Sequence, residues 1–152
     1  MTHQVILPRV MQVGGGASEQ VAEVVTNLGC AKPLIITDKM MVQLGYAGQV
    51  QDTLAKQEIP ADVFDDTVPE PTVASIQAGV DKARNGDYDC IIALGGGSPI
   101  DSAKAISILA KFGGEMRDYK FPRIVNETGL PIIAVPPTAG TGSEVTRVTI
   151  IT

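Results

Sequence analysis

Two Gly-rich stretches and one acidic residue carry the chemistry that this chain can do. In the first stretch, the apolar run Cys90-Ile91-Ile92-Ala93-Leu94 stops abruptly at Gly95-Gly96-Gly97-Ser98-Pro99, and a helical pattern continues from there through Asp101. A short apolar run bounded by turn residues suits a strand buried on both faces, as in a parallel sheet. Ser98 suits the N-cap, Pro99 the first helical position, and Asp101 the first turn, where a negative charge meets the positive end of the helix dipole. Buried strand, three glycines and helix start, in that order, present unpaired backbone N–H groups with no side chain in the way. The chemistry is the holding of a phosphate or pyrophosphate. A tight turn that binds nothing is the plain alternative, but such a turn seldom needs three consecutive glycines.

Asp38 closes the apolar run Pro33-Leu34-Ile35-Ile36-Thr37. At a strand end its carboxylate can accept hydrogen bonds from ribose hydroxyls, and its charge repels a 2′-phosphate, which favours NAD over NADP. It can equally cap the helix that follows. In the second Gly-rich stretch, Thr138, Thr141 and Ser143 set hydroxyls around Gly140 and Gly142. Such a loop can hydrogen-bond along a cofactor or serve as an ordinary Ser/Thr turn. The acid precedes the glycine loop, the reverse of the common G-x-G-x-x-G unit, so an equivalent site would have to come from other strands. Gly14-Gly15-Gly16 is a decoy: Glu19 stands where that unit needs its third glycine. Lys104, one turn past the loop, reads as a solvated helix charge, and no ATP-type G-x-x-x-x-G-K-[ST] loop is present.

What the chain lacks bounds the chemistry further. His3 is its one histidine, so neither a zinc-type His motif, a facial triad nor a Ser-His-Asp triad can be assembled. No catalytic residue and no metal ligand is assigned; the residues bind rather than react. A net charge of −5 and an aromatic content of 4% argue against nucleic acid or an anionic membrane as partner. No apolar run reaches membrane-spanning length and no signal peptide is visible, so the expected location is the cytoplasm. Cys30 and Cys90 are far apart in sequence and read as two reduced, buried thiols.

The elements that must position these residues follow from periodicity. Residues 5–13 alternate around Pro8 and predict one or two short strands. A helix is expected over about 19–28, ended by Gly29. A strand over 32–37 leads to a helical stretch interrupted near Leu44-Gly45 and resuming to about Gln57. A strand over 61–65 precedes Val68-Pro69-Glu70-Pro71-Thr72, where Thr72 can cap a helix reaching Arg84, closed by Asn85-Gly86. After the glycine-loop helix, residues 112–129 read as an irregular connection. A buried strand over 131–135 and an extended segment over 145–151 complete the chain. The 152 residues match one domain. Alternating strands and helices predict an α/β fold, a Rossmann-like, open and mostly parallel sheet with helices on both faces. The end at Thr152, with no turn, cap or polar tail, looks cut rather than finished and gives the expectation of a fragment or a separately prepared N-terminal domain.

Four motifs in register then resemble a known family: Ile36-Thr37-Asp38-Lys39, Val68-Pro69-Glu70-Pro71-Thr72, Gly95-Gly96-Gly97-Ser98-Pro99-Ile100-Asp101, and the run from Pro137 through Thr141 and Ser143 to Thr146. Together they resemble the N-terminal, dehydroquinate synthase-like domain of the iron-containing (group III) alcohol dehydrogenases. The resemblance implies that residues 1–152 form a dinucleotide-binding domain for hydride transfer between a small alcohol and an aldehyde or ketone. It places Asp38 on the adenosine ribose, Gly96, Gly97, Ser98 and Asp101 around the pyrophosphate, and Thr138 and Thr141 towards the nicotinamide. The cofactor implied is NAD, with Fe2+ or Zn2+ only in the intact enzyme, held by a helical C-terminal domain that this chain lacks. A homo-oligomer acting on a small-molecule alcohol is the expected assembly, and the chain alone is expected to be inactive. Glu70 departs from the family's usual Asn, and Pro137 from its usual Thr. A stand-alone nucleotide-binding module, or a dehydroquinate synthase- or glycerol dehydrogenase-like enzyme, remains the alternative.

Overall fold

The computed structural model describes residues 8–152. Its strands are β1 (Pro33–Ile36), β2 (Asp62–Phe64), β3 (Cys90–Leu94) and β4 (Ile132–Val135). Its α-helices are α1 (Val21–Asn27), α2 (Lys39–Gln43), α3 (Tyr46–Ala55), α4 (Val73–Asn85) and α5 (Gly97–Phe112). The strands form one sheet in the order β2-β1-β3-β4, and every pairing is parallel.

Successive residues of each strand feed opposite faces, as the strand period of two requires. Leu34, Ile36, Ile91 and Ala93 face a core shared with Ile76, Val80 and Ala83 of α4 and Ile100, Ala103 and Ile106 of α5. Ile35, Ile92 and Leu94 face the other side, against Val21 and Val25 of α1 and Val50 and Leu54 of α3. Helices therefore cover both faces, as the alternating pattern predicts. Ile35 and Ile92 are completely buried, and truncating either to Ala would cost about 2–5 kcal/mol.

Local signals explain where the helices stop and start. Gly29 and Gly45 take φ of +73° and +82°, the left-handed geometry that ends α1 and separates α2 from α3. Thr72 and Ser75 close a reciprocal capping box at the start of α4, with Ser75 N–H donating to Thr72 Oγ1 at 3.2 Å.

Several expectations need correction. Residues 5–7 lie outside the described residues, and 8–13 form no strand: Pro8 offers no donor and no ladder partner lies alongside. The first helix begins with a 3-10 turn, Ala17–Gln20, so α1 proper starts later than its pattern suggested. β4 is only half-buried, because among the described residues it pairs with β3 alone and forms the sheet edge. The segment after β4 is a 3-10 turn, Ser143–Val145, followed by irregular chain rather than an extended strand.

Candidate functional site

The chain builds β2 on one side of β1, then crosses through α4 to lay β3 on the other side. The carboxyl ends of β1 and β3 thus flank the point where the strand order reverses, which is where open α/β sheets form a ligand crevice. Asp38 follows β1 and Gly95 follows β3. The two ends are tied together: Thr37 Oγ1 donates to the Leu94 carbonyl at 2.8 Å, and Thr67 Oγ1 donates to the Thr37 carbonyl at 2.6 Å. Thr37 belongs to the strand end already marked with Asp38, whereas nothing in the sequence marks Thr67.

Each glycine of the loop has its own reason to be glycine. Gly95 has φ +138°, and a Cβ there would lie 2.7 Å from Pro99 Cγ and 3.6 Å from Asp38 Oδ2. A Cβ on Gly97 would press on Thr141 Cγ2 at 3.3 Å. A Cβ on Gly96 would meet nothing within 4 Å, so that residue faces open space. The loop is pinned from behind by the Gly95 N–H, which donates to the Val135 carbonyl at 3.3 Å.

The helix start corrects the expected cap. Helix α5 begins at Gly97, with extended Gly96 as its N-cap and no side-chain cap. The Ile100 N–H donates to the Gly96 carbonyl at 3.4 Å, so the first turn closes two residues before Ser98 would have closed it. Pro99 falls in the first turn, where a helix has no partner for an N–H in any case. The amides of Gly97 and Ser98 are therefore the unspent donors at this terminus. With Gly96 open beside them, backbone donors and the helix dipole converge on one uncluttered spot.

Asp38 caps the helix that follows and keeps its second oxygen clear of that bond. Its Oδ1 accepts the Met41 N–H at 2.9 Å as the N-cap of α2, while Oδ2 points towards Gly95. Glu70 takes φ +54°, a left-handed geometry that Asn would enter more readily. Thr138 lies exposed in the loop after β4, and Thr141 packs against Gly97.

Asp101 and Lys104 make a junction rather than a solvated pair. Asp101 Oδ1 accepts from Ser143 Oγ at 2.5 Å, and Oδ2 accepts the Ile150 N–H at 3.2 Å. Lys104 Nζ donates to Ser143 Oγ at 3.0 Å, Thr146 Oγ1 at 3.1 Å and the Val148 carbonyl at 2.8 Å, and lies 3.4 Å from Asp101 Oδ1. The reading of Lys104 as a solvated charge is thereby overturned: burial lowers its pKa, with Asp101 opposing the shift. The junction fastens residues 143–150 across the first turns of α5. The chain end is held further along by the Thr152 N–H, which donates to the Pro71 carbonyl at 2.9 Å.

At the opposite end of the sheet, Cys30 and Cys90 are neighbours, with their sulfurs and an Asp89 oxygen all within 4.8 Å of one another. Both thiols are free, and burial pushes both pKa values up. Among the described residues this is the one group of three His, Cys, Asp or Glu side chains that could share a metal ion; none gathers at the glycine loop. His3, the one histidine, lies outside the described residues. A broad groove between residues 8–21, α3 and β4 includes Lys104 and Ser143 but none of Asp38 or Gly95 to Gly97, so it is not the crevice described above. No helix among the described residues is long and apolar enough to cross a membrane.

Residues 8–152 match the sequence profile of the iron-containing alcohol dehydrogenases. Alcohol dehydrogenase 4 of Saccharomyces cerevisiae is 37% identical over 145 residues, covering 95% of this chain and 38% of that enzyme. A solved 1,3-propanediol oxidoreductase superposes with a TM-score of 0.92 at 33% identity, covering 97% of this chain and 38% of the other. Sulfoacetaldehyde reductase from Bifidobacterium kashiwanohense, solved in complex with NAD+, superposes with a TM-score of 0.90 at 30% identity over 100% of this chain and 40% of its own. The chain thus spans about two-fifths of the length of these relatives.

Proposed function

The chain belongs to the iron-containing alcohol dehydrogenase family, and from that premise we propose that it is the NAD-binding part of an alcohol dehydrogenase. The observation that carries this reading is the convergence of Asp38 Oδ2, the open Gly96 and Thr141 at the switch point between β1 and β3. The donor set fits a dinucleotide. The free amides of Gly97 and Ser98, the positive end of α5 and the open face of Gly96 suit a pyrophosphate. The free Asp38 oxygen suits a ribose diol and repels a 2′-phosphate. Thr138 and Thr141 line the way on towards the nicotinamide. Asp101 acts beside them by holding Ser143 and Ile150, which sets the wall opposite the glycine loop. When bound, the nicotinamide supplies the acceptor or donor of a hydride exchanged with a small alcohol or aldehyde.

The metal of the family does not fit the glycine-loop end of this chain, where no group of three ligands gathers among the described residues. No step is derived through it. In this reading Fe2+ or Zn2+ is held by the part of the relatives' length that residues 1–152 do not span, in a helical second domain. Residues 1–152 alone would bind cofactor and turn nothing over, and the intact enzyme would be a cytoplasmic homo-oligomer.

Calorimetry with NAD and NADP tests the reading. NAD should bind the chain more tightly than NADP. Asp38→Asn keeps a good N-cap while removing the charge, so it should narrow that preference without unfolding α2. Equal binding of both cofactors to the unmodified chain would overturn the role of Asp38. Alcohol oxidation by the chain alone would overturn the division of labour.

A further inference from the structure

We propose that Cys30, Asp89 and Cys90 form a binding site for one thiophilic metal ion of the zinc class, ligated by both sulfurs and one carboxylate oxygen. The site lies at the amino end of β3, roughly 16 Å along the strand from the glycine loop at 3.3 Å per residue. It is independent of the dinucleotide reading.

The first argument is distance. The three ligand atoms already lie within 4.8 Å of one another. Two sulfurs on one tetrahedral zinc, each at ~2.3 Å, stand roughly 3.8 Å apart. Shifts of about an ångström in the ligand atoms would bring them to that spacing.

The second argument is that the backbone around the group is held. Asp89 Oδ2 accepts the Ala31 N–H at 2.7 Å, and Oδ1 accepts the Lys32 N–H at 3.0 Å. In return the Asp89 N–H donates to the Lys32 carbonyl at 3.2 Å. Pro33 then pairs with Cys90 in the parallel ladder. The loop carrying Cys30 is thus clamped to the strand carrying Cys90 by the carboxylate that completes the group. An ionised carboxylate has about four lone-pair sites, so two amides leave capacity for a metal and also fix its orientation.

The third argument is chemical selection and access. Two sulfurs with one carboxylate suit zinc or a softer ion and disfavour Mg2+ and Ca2+, which want oxygen alone. Cys90 is fully buried while Cys30 and Asp89 are half-buried, so an ion would enter beside Cys30 and keep a fourth position towards water. Binding replaces two S–H bonds by two metal–sulfur bonds and releases two protons to solvent, with no change in oxidation state. The product carries three ligand negative charges against two on the cation.

Cd2+ is the probe, because its thiolate complexes absorb in the ultraviolet. The reduced full chain should bind one Cd2+ with that absorption, Zn2+ should displace it, and Mg2+ should not. Cys30→Ser should weaken binding by more than the roughly 10–100-fold that loss of an outer partner costs, and Asp89→Asn by less. Circular dichroism checks that each variant folds. Zn2+ should also slow alkylation of Cys30 in the unmodified chain, and a chelator should restore it, which tests the site with no substitution. The proposal is overturned if no cadmium–thiolate band appears, if Cys30→Ser binds Cd2+ unchanged, or if Zn2+ leaves the alkylation rate unaltered.

Discussion

Three glycines in a row lead towards a helix twice in this chain, at Gly14-Gly15-Gly16 and again at Gly95-Gly96-Gly97. The first run follows irregular chain and enters a short 3-10 turn, Ala17–Gln20, before the seven-residue α1. A Cβ on Gly14 or Gly15 would meet nothing within 4 Å, and on Gly16 only the end of the Glu19 side chain. The second run follows a strand whose five residues are all buried and enters a sixteen-residue helix. There Gly95 is crowded by Pro99, Gly97 by Thr141, and only Gly96 is open. The contrast teaches that what flanks a glycine run decides whether it has the geometry the proposed anion site needs. A buried strand must fix the loop, a long helix must supply aligned dipoles, and packing must leave one glycine facing outward.

Substitutions can break or sharpen that contrast. The largest effect is expected at Gly95→Ala, which combines φ +138° with a clash against Pro99. It should lose about 2–4 kcal/mol in denaturant unfolding; a loss below about 1 kcal/mol would mean the second run is no more constrained than the first. Gly96→Ala comes next and separates binding from folding. Its methyl has room in the protein but intrudes where the pyrophosphate would sit, so NAD affinity should fall at least tenfold, about 1.4 kcal/mol, with little change in stability. Unchanged affinity would remove the loop from the cofactor site. Lys104→Met deletes the junction to Ser143, Thr146 and Val148. It should cost about 1–2 kcal/mol and speed proteolysis within residues 138–152, and unaltered cleavage would show that the wall stands without it. The smallest effects, within about 0.5 kcal/mol, belong to Gly15→Ala in the open run and Ser98→Ala, since no side chain caps α5. Thr72→Ala, at a working capping box, should cost about 1 kcal/mol by comparison.

How much was legible follows from where the information sits. The spans of β1 and β3, the break at Gly45 and the cap at Thr72 agree with expectation because each depends on residues within one or two turns. The expected helix start at Ser98 was two residues late. Ser98 and Pro99 carry strong local preferences, but the pinning of Gly95 to Val135 and its packing against Pro99 set where the chain can first turn. Lys104 was misread because its partners at 143–148 are some forty residues away and lie in irregular chain. Cys30 and Cys90 seemed isolated for the same reason: their meeting depends on β1 and β3 pairing in register, not on spacing in the chain.

Composition and periodicity by themselves determined the fold class, the alternation of strands and helices, and the candidate residues at strand ends. Hydrophobic period and turn chemistry are local and survive without a partner. The order β2-β1-β3-β4 was decided only in three dimensions, and with it the meeting of Asp38, Gly95 and Thr141 at one crevice. So were the single open glycine among three, the Asp101–Lys104 junction and the cysteine pair. Each depends on long-range pairing and close packing between segments that the sequence keeps apart.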